Sequence, residues 1–256
     1  MLIRIAPDAV GLGKAAAHEA AEVLRAAIAQ RGSARIVLST GVSQFATLAC
    51  LTEADGIDWS KVEMFHMDEY VDLPITHKAS FRKYLIERFV EPTGIATYHF
   101  VTGTQENVEE LTRILREKPV DLGLIGIGEN GHIAFNDPPA DFETTEAFIY
   151  VTLDMTCKKQ QVREGWFKTI GEVPDQAVSM TPFQIMQCET IISAVPYMEK
   201  AVAVKKTLES PLTNEVPATL LKTHPRCHLY VDSDSFSLTD EEKILPLQTG
   251  IEIERI

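Results

Sequence analysis

Seven short apolar, β-rich runs recur along the chain, at residues 2–6, 35–39, 62–67, 120–127, 148–153, 190–195 and 228–231, with longer segments of helical period between most of them. No other feature restricts the fold as much. Strands separated by helical segments are joined by crossovers, not hairpins, so the pattern predicts an α/β fold built on a mostly parallel sheet. In the intervening segments Ala16, Ala20, Val23, Ala27 and Ile28 fall on one helix face, and Phe81, Tyr84, Leu85 and Phe89 on another. Each stripe is available to lie on the sheet. The expectation is a doubly wound, Rossmann-like arrangement with helices on both faces. No internal repeat or low-complexity linker divides residues 1–256, which read as a single domain, and 45% apolar residues leave ample core to bury. Right-handed crossovers place the loops after the strands along one edge, where distant motifs can meet.

The most informative of these loops is residues 126–138, Gly-Ile-Gly-Glu-Asn-Gly-His-Ile-Ala-Phe-Asn-Asp-Pro, directly after the apolar run at 120–125. Its glycines let backbone approach a ligand, and His132 with Asp137 can move protons at neutral pH. Gly126, Gly128 and Gly131 also satisfy the Gly-x-Gly-x-x-Gly pattern of dinucleotide sites. That pattern needs a helix opening at its last glycine to receive a pyrophosphate. Here Pro138 and Pro139 follow too soon, and the motif lies midway along the chain, so a nicotinamide site is disfavoured.

Three more motifs sit at predicted strand ends. Ser39, Thr40, Gly41, Val42, Ser43 and Gln44 lead from a strand into a helix carrying Leu48 and Leu51, which is either a phosphate cradle or a simple turn with a helix cap. Met67-Asp68-Glu69-Tyr70 places two adjacent carboxylates where a strand leaves the sheet. Successive strand residues face opposite ways, so one of them enters a pocket, with a raised pKa that suits a base; the alternative is an acidic surface turn. Lys200, in Pro196-Tyr197-Met198-Glu199-Lys200, stands in the opening turns of a helix. It is either solvated or the neutraliser of a bound anion, the second because a lysine is out of place against the helix dipole.

A formal charge of −13 disfavours nucleic acid and anionic membrane as partners, because the counterion-release term needs dense Lys and Arg. The run at 2–6 is too short for a membrane span or a signal peptide, which makes the cytoplasm the expected location. Cys50, Cys157, Cys188 and Cys227 form no Cys-x-x-Cys pair, and Pro225 keeps His224 and His228 off one helix. Neither a disulfide framework nor a structural metal is expected.

Taken together, these segments resemble the glucosamine-6-phosphate deaminase (isomerase) family, within a superfamily that also contains 6-phosphogluconolactonases. The likeness runs almost end to end. It is carried by Ser-Thr-Gly at 39–41, Met-Asp-Glu-Tyr at 67–70, the loop at 126–138, Val-Pro-x-x-Ala-x-Ser-Met at 173–180 and Thr-His-Pro at 223–225. Lactonases typically follow the loop histidine with a Thr-Ala-Ser-Leu-Phe-Pro type of sequence, whereas this chain has Ile-Ala-Phe-Asn-Asp-Pro. The resemblance implies that Asp68 is the base that moves a proton from C2 of the opened amino sugar. It implies that His132 opens the pyranose ring, supported by Asn130 and Asp137. Thr40, Gly41, Ser43 and Lys200 match the phosphate site, and Gly126 brings backbone against the sugar. Arg163 matches a second phosphate contact, for which Lys158 or Lys159 could substitute.

An aldose-to-ketose conversion needs a base at C2 that returns its proton at C1, and no cofactor. Once the amino group has become an imine, water adds and ammonia leaves. The implied reaction takes glucosamine 6-phosphate, a small sugar phosphate, to fructose 6-phosphate and ammonia. Relatives occur as monomers and as homo-oligomers, so self-association stays open. Two positions depart from the family pattern: Asn130 is aspartate in some members, and Asp137 is usually glutamate. An asparagine brings no charge and an aspartate reaches less far, so both bear on the support of His132. The alternatives are a lactone hydrolase, an enzyme for another hexosamine phosphate, and a non-catalytic sugar-phosphate sensor, for which no basic helix-turn-helix is visible.

Overall fold

The structure is a computed structural model and describes residues 1–245 and 250–256. Its strands are β1 (Leu2–Ala6), β2 (Ala34–Leu38), β3 (Val62–His66), β4 (Asp68–Tyr70), β5 (Thr97–His99), β6 (Val120–Ile125), β7 (Phe148–Thr152), β8 (Gln176–Met180), β9 (Cys188–Val195), β10 (Cys227–Asp232) and β11 (Glu252–Arg255). Eight of them form one sheet in the order β11-β1-β10-β9-β6-β2-β3-β5, with every neighbouring pair parallel. The remaining three make a small antiparallel sheet, β4-β8-β7. The run at 148–153 therefore does not join the parallel sheet, as its apolar pattern led us to expect. In β7 Ile149 and Val151 are only half buried and Tyr150 is 41% exposed, too little burial for a strand covered on both faces.

Strand alternation feeds two cores. Ile36, Leu38, Leu122, Leu124, Ile192 and Ala194 pack with the helix Ala9–Arg31 and with Phe89 on one face. Val37, Ile125, Ile191, Val195, Leu229 and Val231 pack with Val108, Leu111, Leu115, Val204 and Leu208 on the other. The doubly wound arrangement is thus realised. The long helix starts at an Asp8 N-cap whose side chain accepts from the Gly11 N–H, and it stops at Gly32, left-handed at φ 79°. Its buried face is Ala16, Ala17, Ala20, Ala21, Leu24 and Ala27; Val23 and Ile28 lie at its margin, because alanines allow the helix to sit closer to the sheet than the longer side chains would. Phe81, Tyr84, Leu85 and Phe89 are all buried, as their spacing predicts.

Connectivity decides where a ligand can enter. From β2 the chain proceeds outward through β3 to β5, then returns to β6 on the other side of β2 and continues through β9 to β10. The direction of winding reverses between β2 and β6, and such a reversal leaves a crevice at the carboxyl ends of the strands. The loops at 39–43 and 126–138 open from those two ends, tied where the Ser39 N–H donates to the Leu124 carbonyl at 3.0 Å. β3 and β9, on either side, deliver residues 67–70 and 196–200 to the same edge.

Candidate active site

A cavity of about 570 Å³ lies at this edge. Asp68, His132, Thr40, Gly41, Ser43, Gly126, Arg163 and Lys200 all line it: the four strand ends deliver all of these but Arg163, which comes from the end of the helix Met155–Arg163. Asn130 and Asp137 stand behind His132 instead of in the wall.

The two adjacent carboxylates divide as strand alternation requires, and neither is a surface turn. Asp68 is 6% exposed, faces the cavity and makes no hydrogen bond or ion pair among the described residues. Burial, reinforced by the neighbouring Glu69 charge, pushes its pKa up to about 8. Glu69 points the other way, fully buried, where it accepts from Ser80 Oγ at 2.8 Å, Arg82 Nε at 3.1 Å and the backbone N–H of Tyr70, Phe81 and Arg82. It ties β4 to the first turn of the helix Phe81–Leu85, which contributes Phe81 to the cavity wall.

The glycine loop is a tight turn with no helix after Gly131. The Gly128 N–H donates to the His132 carbonyl at 2.8 Å, Gly131 has φ 89°, and Ile133 and Asn136 pair as an isolated bridge. Without a helix N-terminus at Gly131 the loop offers no pyrophosphate seat. A Cβ on Gly128 would lie 2.2 Å from the His132 ring, so glycine is what allows the imidazole to rest on this turn. His132 Nδ1 is 2.9 Å from Asp137 Oδ1, although the ring N–H does not point along that line. The Asn130 amide donates to the same carboxylate oxygen at 2.9 Å while its own carbonyl accepts the His132 N–H at 3.1 Å. Burial raises the Asp137 carboxyl, but the close approach of the His132 ring, with the Asn130 amide, outweighs it and holds the pKa below the usual aspartate range. Both departures from the family pattern therefore make local sense: the shorter Asp137 still reaches the imidazole, and Asn130 supplies a donor that an ionised aspartate would lack.

On the β2 side, Gly41 has φ 110°, and Tyr84 Oη donates to its carbonyl at 3.0 Å, fixing the turn Val42–Gln44 that opens into the helix Phe45–Thr52. Gly126 approaches this turn closely: a Cβ on it would lie 3.0 Å from the Gln44 side chain. Lys200 comes from beyond β9. It is 9% exposed, not solvated, and its ammonium has no partner among the described residues. Burial lowers its pKa, partly countered by Glu164 and Glu129. A desolvated, unpaired cation is costly and calls for an anion. Arg163 pairs with Glu129 at the cavity rim. Lys158 instead pairs with Asp175, and neither Lys158 nor Lys159 reaches the cavity wall.

Several wall residues carried no signal in the sequence. Gln160, Gln161, Glu164 and Trp166 arrive from the helix Met155–Arg163 and the turn after it, a segment whose composition reads as an ordinary polar helix. Gln161 Oε1 and Ser39 Oγ are buried in the wall without partners among the described residues. Tyr197 also lines the cavity, and its positive φ of 82° has no counterpart in the residue pattern.

Residues 7–229 match the family model described as glucosamine-6-phosphate isomerases/6-phosphogluconolactonase. The chain is 31% identical over 231 residues to a glucosamine-6-phosphate deaminase of Oenococcus oeni, spanning 89% of this chain and 95% of that protein. It is 33% identical over 225 residues to a glucosamine-6-phosphate deaminase of Streptococcus gordonii, spanning 86% and 93%. A solved monomeric glucosamine-6-phosphate deaminase superposes with a TM-score of 0.85 at 24% identity, over 93% of this chain and 100% of that one. A putative 6-phosphogluconolactonase from Neisseria gonorrhoeae superposes at 0.72 with 20% identity, over 91% and 100%. These two superpositions speak for the fold, and the family match together with the two sequence relatives speaks for descent: the chain belongs to the family of glucosamine-6-phosphate isomerases and 6-phosphogluconolactonases.

Proposed function

We propose that this protein, acting as a single domain, converts glucosamine 6-phosphate and water to fructose 6-phosphate and ammonia by acid–base catalysis. The observation that carries the reading is Asp68, a buried carboxyl group without a hydrogen bond, raised to about 8 and facing the same cavity as the His132 and Asp137 pair. In the first step His132 moves a proton from the C1 hydroxyl to the ring oxygen and opens the ring. Asp137, held ionised, favours the charged imidazole that forms on the way. Asp68 then takes the proton from C2 and returns it to C1, leaving an imine at C2. Water adds there and ammonia departs. Thr40, Gly41, Ser43 and Lys200 hold the phosphate so that C1 and C2 face the base, a gain of orientation. Arg163 supplies a second cation, and Gly126 lets backbone approach the sugar.

Charge balance supports an amino sugar over a lactone. Asp68, Glu129, Glu164 and Glu199 line the cavity against the cations Arg163 and Lys200. A ligand carrying an ammonium as well as a phosphate meets both signs. The substrate ammonium beside Asp68 favours the ionised carboxylate, which is the form a base must have. A lactone offers no such cation.

The test is ammonia release over a panel of hexosamine 6-phosphates, glucosamine and galactosamine among them, with hydrolysis of 6-phosphogluconolactone as control. Turnover of glucosamine 6-phosphate with ammonia is expected. Lactone hydrolysis without ammonia from any hexosamine phosphate overturns the proposal.

A further inference from the structure

Tyr197 has φ 82° and ψ 149°, at the edge of a backbone region that only glycine occupies without strain. Its neighbours hold it there. The Tyr197 N–H donates to both carboxylate oxygens of Asp232, at 3.0 and 3.2 Å, and its carbonyl accepts the Lys200 N–H at 3.0 Å. Asp232, 2% exposed, is itself fixed as the N-cap of Ser233–Phe236, accepting from the Ser235 N–H at 2.8 Å. The strained residue thus anchors the turn that presents Lys200. Strain of this kind persists where the surroundings over-determine it, and it gathers at ligand clamps.

The Tyr197 side chain is half buried in the cavity wall, and its hydroxyl has no partner among the described residues. Partial burial, with the charges of Asp232 and Glu199 nearby, raises its pKa, so it stays a protonated donor at neutral pH. Tyr197, Lys200 and residues 39–43, whose Gly41 carbonyl accepts from Tyr84 Oη, line the same cavity. A phenolic donor and a buried ammonium, neither with a partner among the described residues, therefore face one cavity together with a glycine turn.

We infer that Tyr197 is a phosphate-binding residue of this chain, its phenolic O–H donating to a phosphoryl oxygen held between Lys200 and the 39–43 loop, and that the strained backbone is kept because it aims the ring there. The inference rests on the phosphate-site reading above. A hydrogen bond to a charged oxygen at a partly exposed site corresponds to roughly a tenfold change in affinity.

Calorimetric titration with inorganic phosphate of the wild type, Tyr197→Phe, Tyr197→Gly and, as reference, Lys200→Met tests it. The Phe variant should bind phosphate about tenfold more weakly and raise KM for the sugar phosphate more than it changes kcat. The Gly variant should bind at least as weakly as Phe while melting about 2–5 °C higher, because the backbone strain is released. Equal phosphate affinity in wild type and Phe variant overturns the inference, as does a wild type that binds no phosphate. Weaker phosphate binding by the Phe variant with no ammonia released from any hexosamine phosphate upholds the inference and removes the deaminase proposal, so the two fail separately.

Discussion

At the scale of single residues, the pair Asp68 and Glu69 shows how two identical chemistries acquire opposite roles from alternation alone. Glu69 collects five donor contacts and docks a helix, whereas Asp68 has none and keeps a raised pKa. The consequence for stability has a definite sign. Between the ordinary aspartate value of 3.8 and about 8, the unfolded chain has released this proton while the folded chain retains it. Stability from this group is therefore fully present below about pH 4 and is lost as pH rises to about 8. Asp68→Asn removes that loss. Its melting temperature should exceed that of the wild type by a margin that widens from pH 4 to pH 8 and then levels, with about 6 kcal/mol as the ceiling. The same variant should lose turnover by a factor on the order of 10²–10⁴. Paired melting curves across that pH range, with a rate assay, check both; a margin independent of pH would sink the assignment of the raised pKa. Alternation in the sequence left a pocket carboxylate or an acidic surface turn open and the family resemblance pointed to Asp68; its burial in the cavity wall is a property of the fold.

At the scale of elements, the loop after β6 shows what a motif can and cannot say. Its glycines matched a dinucleotide pattern, but the prolines that follow already argued against a helix after Gly131, and none forms. What the motif could not say is that Gly128 makes room for the His132 ring, because the close approach of the ring exists only in the folded turn. Gly128→Ala should push the imidazole away from Asp137 and cut kcat by at least tenfold, with a change in melting temperature of only a few degrees, since the turn is at the surface of the cavity and not in either core. Rate and thermal melting measured on one preparation check it; unchanged kcat would show that the ring position is not needed. The short strands were the elements least visible in sequence. β4 and β5 have three residues each, too few for a period to register, and β11 is mostly exposed. β7 was visible as a strand but not as a member of the second sheet, because apolar runs do not name their partners.

At the scale of the whole molecule, the cavity exists because the winding order reverses between β2 and β6, so the loops of four neighbouring strands converge on it. A ligand that bridges those loops binds the folded chain alone and must stabilise it. Fructose 6-phosphate at one hundred times its Kd should add about 2.7 kcal/mol, a rise of roughly 5–10 °C in Tm, and Lys200→Met should abolish most of the rise at the same concentration. A thermal-shift titration of both proteins measures it, and an equal rise in the two would remove Lys200 from the phosphate site. By itself the sequence determined the fold class, the strand ends and the residue types at each of them, since these follow from local periodicity and from the conformations that glycine and proline allow. The tertiary structure alone decided which side chains are dry, paired or strained. Among the described residues the side chains of Asp68 and Lys200 are buried without partners, Arg163 and not Lys158 faces the cavity, and Tyr197 holds a conformation that costs energy. Burial and pairing are properties of contacts between segments far apart in the chain, and no local pattern of residues encodes them.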